Sequence, residues 1–217
     1  MEKRALTRDE IGTEALEVAI AAAQAAGDCV LRFFQQGQYW THSKQDTSLQ
    51  TAADTAAEDI ILRMLRQAFP DHTLHSEERG TLPSLKRSPY RWSIDPLDGT
   101  ENFVLGIPYF SSCLTLYYQQ WPSLAVVYNP VTAELYTAQR GKGAELNGQP
   151  LHLSRQRELQ RSRVFFIPDF VTKRQPRTVR LRESLYRQCR RVLDTWSPAL
   201  DWCLVASGKV DLVVTFA

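Results

Sequence analysis

Four acidic features stand where the chain changes course, and their types suit one kind of chemistry. Asp54 opens a helical stretch. Glu77 and Glu78 follow a short strand-like run. Asp95 and Asp98 lie in Ile94-Asp95-Pro96-Leu97-Asp98-Gly99-Thr100, directly after another. Pro96 cannot donate to a strand ladder, so pairing is expected to stop there. Asp95 and Asp98, three residues apart across the Pro-Leu kink, can converge on one point together with the Leu97 carbonyl. Carboxylate and carbonyl oxygens are the ligands that hard cations such as Mg²⁺ prefer. Asp98-Gly99-Thr100 reads as a turn opening a helix, and free amides at Gly99 and Thr100 suit a phosphate. Metal-binding oxygens beside a phosphate cradle imply phosphoryl transfer to water, with two metals holding the attacking and leaving oxygens. Each part alone has a plainer reading. Asp-Gly is a common turn, Asp54 is a natural helix cap, and Glu77-Glu78 is a solvated pair. Only the combination supports the chemical reading.

The elements that must position these residues follow from pattern. Thr7-Arg8-Asp9-Glu10 reads as a capping box. A long helix is expected to follow, to about Phe34, with Leu16, Ala19, Ile20, Ala23, Ala26, Val30 and Phe33 at helical spacing. Residues 38–50 are polar and predict a loop or short hairpin. A second helix starts near Asp54, with Ile60, Ile61, Met64, Leu65 and Ala68 on one face, and Pro70 ends it. Strands are expected at 73–76 and 90–94. A meander should fill 110–153, with Asn147-Gly148 as a hairpin turn. A strand at 163–167, a helix at 178–188, a strand at 191–194, a helix at 198–207 and a strand at 210–215 then alternate, as in an α/β arrangement. The division expected is an N-terminal α+β half, residues 1–153, and an incomplete C-terminal α/β half, residues 154–217.

Composition narrows the classes. Of 217 residues, 43% are hydrophobic and 23% charged, which excludes general disorder. No apolar run is long enough to span a membrane, and Met1-Glu2-Lys3-Arg4 lacks a signal core, so a cytoplasmic address is expected. Cys29, Cys113, Cys189 and Cys203 are not closely paired and read as buried thiols. The net charge of +2 hides an asymmetry. Residues 155–191 hold 12 of the 26 Lys and Arg against three acids, a local charge of +9. A solvated arginine-rich face is the favoured reading; a surface for an anionic substrate or nucleic acid is the sharper one.

Asp95-Pro96-Leu97-Asp98-Gly99-Thr100-Glu101-Asn102-Phe103 resembles the D-P-[IL]-D-G-T-x-N-F signature of the inositol monophosphatase family. Thr51-Ala52-Ala53-Asp54 with Glu58 is similar to its T-x-x-D-x-x-x-E segment. Phe69-Pro70-Asp71-His72, then Ser76-Glu77-Glu78, is similar to its F-P-x-H…E-E segment. Val126 to Pro130, Gly141 to Ala144 and Asn147-Gly148 resemble the family's hairpin region. Ala199-Leu200-Asp201 with Val205 to Asp211 resembles its late A-L-D…V-A-x-G-x-x-D segment. The match runs in order along nearly the whole chain.

The resemblance implies an α+β fold, a layered α-β-α-β-α sandwich. It implies a Mg²⁺-dependent, lithium-sensitive phosphomonoesterase, a homodimer, acting on inositol monophosphate or a related small polyol or sugar phosphate. Carried over by position, Glu77, Asp95 and the Leu97 carbonyl would hold a first metal, and Asp95 and Asp98 a second. Thr100, supported by Asp54, would orient and deprotonate the attacking water, with Glu77 also in the catalytic set. The Gly99 and Thr100 amides would hold phosphate, and Lys44 matches a lysine position near the site. The expected partner is a small phosphorylated substrate, with neither membrane nor nucleic acid.

Three features depart from the pattern. The family's W-D-x-A-A-G signature, whose Asp is a further metal ligand, is not found before Ala217, so a C-terminally truncated fold with a weak second metal site is expected. A family glutamate that contacts inositol falls near Thr215. The usual G-S-A-A is Trp196-Ser197-Pro198-Ala199, which reshapes the pocket wall. The alternatives are a 3'(2'),5'-bisphosphate nucleotidase, a histidinol-phosphate phosphatase, or a catalytically impaired homologue that binds a partner.

Overall fold

Helix α1 (Arg8–Gln35) is built on a stripe of small residues, and that stripe sets how closely the first layers approach. Ala15, Ala19, Ala22, Ala23 and Ala26 are fully buried in this computed structural model, which describes residues 8–37, 41–43, 49–84, 86–169 and 172–216. Gly27 continues the close approach. A Cβ there would stand 2.6 Å from the Tyr128 ring. Beside α1 runs α2 (Ala52–Ala68), whose buried face carries Ala53, Ala57, Ile61, Leu62 and Leu65. Thr51 is its N-cap, with Asp54 at the third helical position completing a capping box. Asp54 is therefore not the cap itself, because Thr51 already accepts from the first free amides. Thr7 and Lys44 lie outside the described residues.

Both helices cover one face of an eight-stranded sheet, ordered β10-β9-β8-β7-β6-β5-β3-β4. Its strands are β3 (Thr73–Ser76), β4 (Gly80–Leu82), β5 (Tyr90–Asp98), β6 (Ser111–Tyr118), β7 (Trp121–Asn129), β8 (Glu134–Gln139), β9 (Gly143–Leu146) and β10 (Gln149–Pro150). Trp92, Ile94, Leu114, Leu116, Leu124 and Val126 alternate into the core under the helices. The meander from β6 to β10 is antiparallel throughout, as the turn signals predict. Asn147 and Gly148 both take positive φ, 49° and 77°, as a two-residue hairpin turn of this kind requires. β1 (Thr41–Ser43) and β2 (Leu49–Thr51) form a separate hairpin before α2.

The opposite face of the large sheet receives α5 (Pro198–Ala206), whose Leu200 and Cys203 pack with Tyr136, Val127 and Leu146. A second sheet, ordered β12-β11-β13, lies beyond α5. It comprises β11 (Arg163–Pro168), β12 (Arg191–Leu193) and β13 (Leu212–Phe216), all parallel. Helix α4 (Pro176–Gln188) closes the stack against Val164, Phe166, Val192 and Val214. The layers therefore run α-β-α-β-α. Among the described residues no helix is long and apolar enough to cross a membrane. All four cysteines are free. Cys29 and Cys203 are buried, whereas Cys113 and Cys189 are only half-buried.

Two expectations are corrected. The strand predicted over 90–94 continues to Asp98, because Pro96 falls in a break of register between Asp95 and Asp98 where no ladder donor is needed. The short strand β4, pairing antiparallel with β3, was not expected. Its sequence Gly-Thr-Leu is too brief to show a period.

Candidate active site

The acidic turn is placed by one parallel pair in an otherwise antiparallel sheet. β3 runs parallel to β5, Ser76 beside Ile94. The Glu77 amide then donates to the Ile94 carbonyl at 3.1 Å. Glu77 and Asp95 thus leave adjacent strands at the same end, and their carboxyls stand side by side. The chain after Asp95 is held tightly. The Leu97 amide donates to Asp95 Oδ1 at 3.1 Å, and Ser112 Oγ donates to the Pro96 carbonyl at 2.7 Å. Gly99 follows at φ 90° as N-cap of the short helix α3 (Thr100–Val104). A Cβ at Gly99 would stand 3.1 Å from both Ser197 and the Tyr109 carbonyl, so both backbone and space require glycine.

Thr100 faces two partners. Its Oγ1 donates to the Leu97 carbonyl at 3.0 Å and lies 3.4 Å from Asp54 Oδ1. Asp54 is itself fixed at its other oxygen by the Thr51 amide at 2.8 Å and the Thr51 hydroxyl at 2.5 Å. The third acidic group is clamped from the far half of the chain. Asp98 Oδ2 accepts from Ser197 Oγ at 2.5 Å and from the Ala199 amide, in the first turn of α5, at 3.2 Å. Asn102 ties the same halves together, donating to the Tyr109 and Thr195 carbonyls at 2.8 and 2.7 Å. Asp201 accepts from Tyr109 Oη at 3.1 Å and from Thr195 Oγ1.

Glu77, Asp95, Leu97, Asp98, Gly99 and Thr100 line one cavity of about 470 Å³. Asp54 stands behind Thr100 and does not line it. Glu78 lies outside. Across the cavity stand Ile167, Pro168, Trp196 and Pro198. Among the described residues no three His, Cys, Asp or Glu side chains form a ready cage for a metal ion. Asp98 is turned onto Ser197 and Ala199 instead of standing free beside Asp95.

The crowding of carboxyls shifts their titration. Burial holds Asp95 well above the carboxylate range, and Asp98 and Glu77 beside it push the same way. Burial also raises Asp98, opposed by the Ser197 and Ala199 hydrogen bonds. Asp54 is lifted by burial to about 6, with the Thr51 hydrogen bonds opposing and Glu78 adding to the rise. Asp201 rises to about 6, again mainly through burial. A site that must hold its anions against one another suits a cation. Its donors are all oxygens, the set a hard divalent ion prefers.

Ser197 and Asn102 had been matched to motif positions, but their clamping roles were not anticipated. Locally Ser197 shows only as a serine before a helix-starting proline. Asp201 had been matched to a motif without a role.

A layered α-β-α-β-α sandwich with an acidic turn at the end of β5 defines a structural class. Residues 12–217 match the model of the inositol monophosphatase family, and the chain belongs to that family. It is 36% identical over 198 residues to the Nus factor SuhB of Pasteurella multocida and 34% identical over 198 residues to that of Escherichia coli K12. In each case 90% of this chain covers 74% of the relative. Among solved structures, the extragenic suppressor protein SuhB of Bartonella henselae superposes with a TM-score of 0.87 at 29% identity, over 94% of this chain and 78% of that one. The Thermotoga maritima inositol monophosphatase superposes with a TM-score of 0.83 at 27% identity, over 94% and 76%.

Proposed function

We propose that this chain is a Mg²⁺-dependent phosphomonoesterase that transfers the phosphoryl group of a small polyol or sugar phosphate to water. The observation that supports the reading is that Glu77, Asp95, Leu97, Asp98 and Thr100 line one cavity, with Asp54 behind Thr100. Family membership supports it. Glu77, Asp95 and Leu97 would hold one Mg²⁺, and Asp95 and Asp98 a second. Bound there, the ions would neutralise the phosphoryl oxygens and lower the pKa of water. The chain's own residues supply the rest. Asp54 fixes Thr100 Oγ1, which orients the attacking water, and Glu77 takes part in its deprotonation. The Gly99 and Thr100 amides hold the phosphate. Asp98 must release Ser197 or share its second oxygen to take part.

Calorimetric Mg²⁺ titration with and without inorganic phosphate, together with phosphate release from inositol 1-phosphate, tests this. Asp95→Asn should abolish Mg²⁺ binding and reduce hydrolysis by several orders of magnitude while leaving the metal-free melting temperature unchanged or higher. Retained activity in Asp95→Asn overturns the assignment, and a large loss of metal-free stability marks Asp95 as structural.

A second reading rests on a different observation. Arg155, Arg161, Arg163 and Arg190 border a shallow cavity of about 670 Å³ beside Asp211. Relatives bear the name Nus factor, which lends no support to the expectation that nucleic acid is not a partner. On this reading the arginine face binds an anionic macromolecule. Salt-sensitive binding of an RNA, unaffected by Asp95→Asn, would favour it.

A further inference from the structure

The cavity wall opposite the acidic turn holds a residue in a conformation that its side chain resists. Trp196 has φ 57°, in the left-handed region that glycine adopts freely and a bulky residue does not. Its side chain borders the cavity and is left 52% exposed. Asp194, just past β12, stands beside the ring. The next residue, Ser197, is the buried donor to Asp98, so the backbone that carries the ring is held relative to the acidic turn through one peptide unit. The indole has a single polar atom, so most of what it offers the cavity is a flat apolar face. Ile167, Pro168 and Pro198 extend that face without a side-chain hydrogen-bonding group, while Lys173, Asp194 and Asp201 border the same cavity.

Such a wall discriminates by leaving group. A polyol ring carries hydroxyls in every direction, and those laid against the indole and proline faces would lose water without gaining a partner there. A planar aromatic ring loses little on desolvation and gains by stacking. Resting on the phosphomonoesterase reading, we propose that Trp196 determines specificity, its indole face stacking on an aromatic ring in the leaving alcohol, so that the site favours nucleoside-type monophosphates over compact polyol phosphates. In the reaction the water oxygen joins phosphorus and the ester P–O bond breaks. One water proton leaves on the alcohol and the other stays on the phosphate.

The test uses adenosine 2'-monophosphate and inositol 1-phosphate, both esters of secondary alcohols, on wild type, Trp196→Phe and Trp196→Gly. Trp196→Gly should lower the ratio of kcat/KM for the adenosine ester over the inositol ester about tenfold. Trp196→Phe, which keeps a stacking face, should hold the adenosine ester within about threefold. Equal losses on both esters, or no loss on either, overturn the proposal. If wild type hydrolyses neither ester, the phosphatase reading fails. Calorimetry with the same two esters then decides this one. Tighter binding of the adenosine ester, weakened about tenfold by Trp196→Gly, supports the stacking wall, and equal affinity overturns it.

Discussion

Replacing Asp54 by asparagine should change how the metal-free protein responds to pH. Asp54 is 2% exposed, and burial lifts its carboxyl from an ordinary 3.8 to about 6 despite the opposing Thr51 hydrogen bonds. Between those values the folded protein holds a proton that the unfolded chain has released. The carboxyl therefore contributes stability that is fully present below about pH 4 and lost as pH rises through about 6. At about 1.4 kcal/mol per pH unit, the displacement corresponds to about 3 kcal/mol, of which about 2 kcal/mol is lost between pH 4.5 and 7. Asparagine cannot ionise, yet its carbonyl can still accept from the Thr51 amide. Asp95 and Asp98 push in the same direction but are common to both proteins, so their effects largely cancel in the difference. Urea unfolding in chelator at pH 4.5, 5.5 and 7 measures the wild-type stability minus that of Asp54→Asn. That difference should fall by about 2 kcal/mol across the range. A constant difference, or one that grows with pH, refutes the reasoning.

The other predictions concern anchors and the nucleophile. Glu58 is fully buried and 2.9 Å from Arg79 Nε, just past Glu77-Glu78. Arg79→Met should cost about 3 kcal/mol by leaving that charge unpaired. Glu58→Gln, which leaves a half-exposed arginine to water, should cost about 1 kcal/mol. Urea unfolding ranks the two, and the reverse order counts against this pairing. Gly27→Ala drives a Cβ onto the Tyr128 ring and should cost about 1–3 kcal/mol, partly recovered by Tyr128→Leu in the same chain; an unchanged midpoint would mean α1 shifts freely. Thr100→Ala should slow phosphate release about 100-fold while a Mg²⁺ titration keeps its first site, and unchanged turnover excludes Thr100 from handling the water.

The helices and the meander were legible because their signals are local. The alanine and leucine spacing of α1 and α2 and the Asn147-Gly148 turn depend only on neighbours in sequence. The acidic turn was legible as a motif; Ile167, Pro168, Lys173 and Asp194, which border the same cavity, were not. What remained hidden depends on partners far along the chain. Nothing in Thr73 to Ser76 states that this strand will run parallel to β5, yet that choice brings Glu77 beside Asp95. Nothing near Asp98 names Ser197 as its donor, and only the glycine that the family pattern has in place of Trp196 hints at a positive φ there. The cap of α2 was misassigned by three residues because Thr51 and Asp54 are both good caps, and only geometry decides that one accepts the amides while the other reaches back.

The clamp on Asp98 also sets an order of events during synthesis. Asp98 and Ser197 are 99 residues apart. A ribosome adding roughly 5–20 residues per second exposes the acidic turn for about 5–20 s before its serine donor is made. In that interval the carboxyls of Glu77, Asp95 and Asp98 can meet water, protons and dissolved cations, but not α5. Contacts of such long sequence separation form late and slowly. Ser197 therefore reaches Asp98 only after the acidic turn has been made, and any ion that the turn had taken up by then would have to share the carboxylate with the clamp.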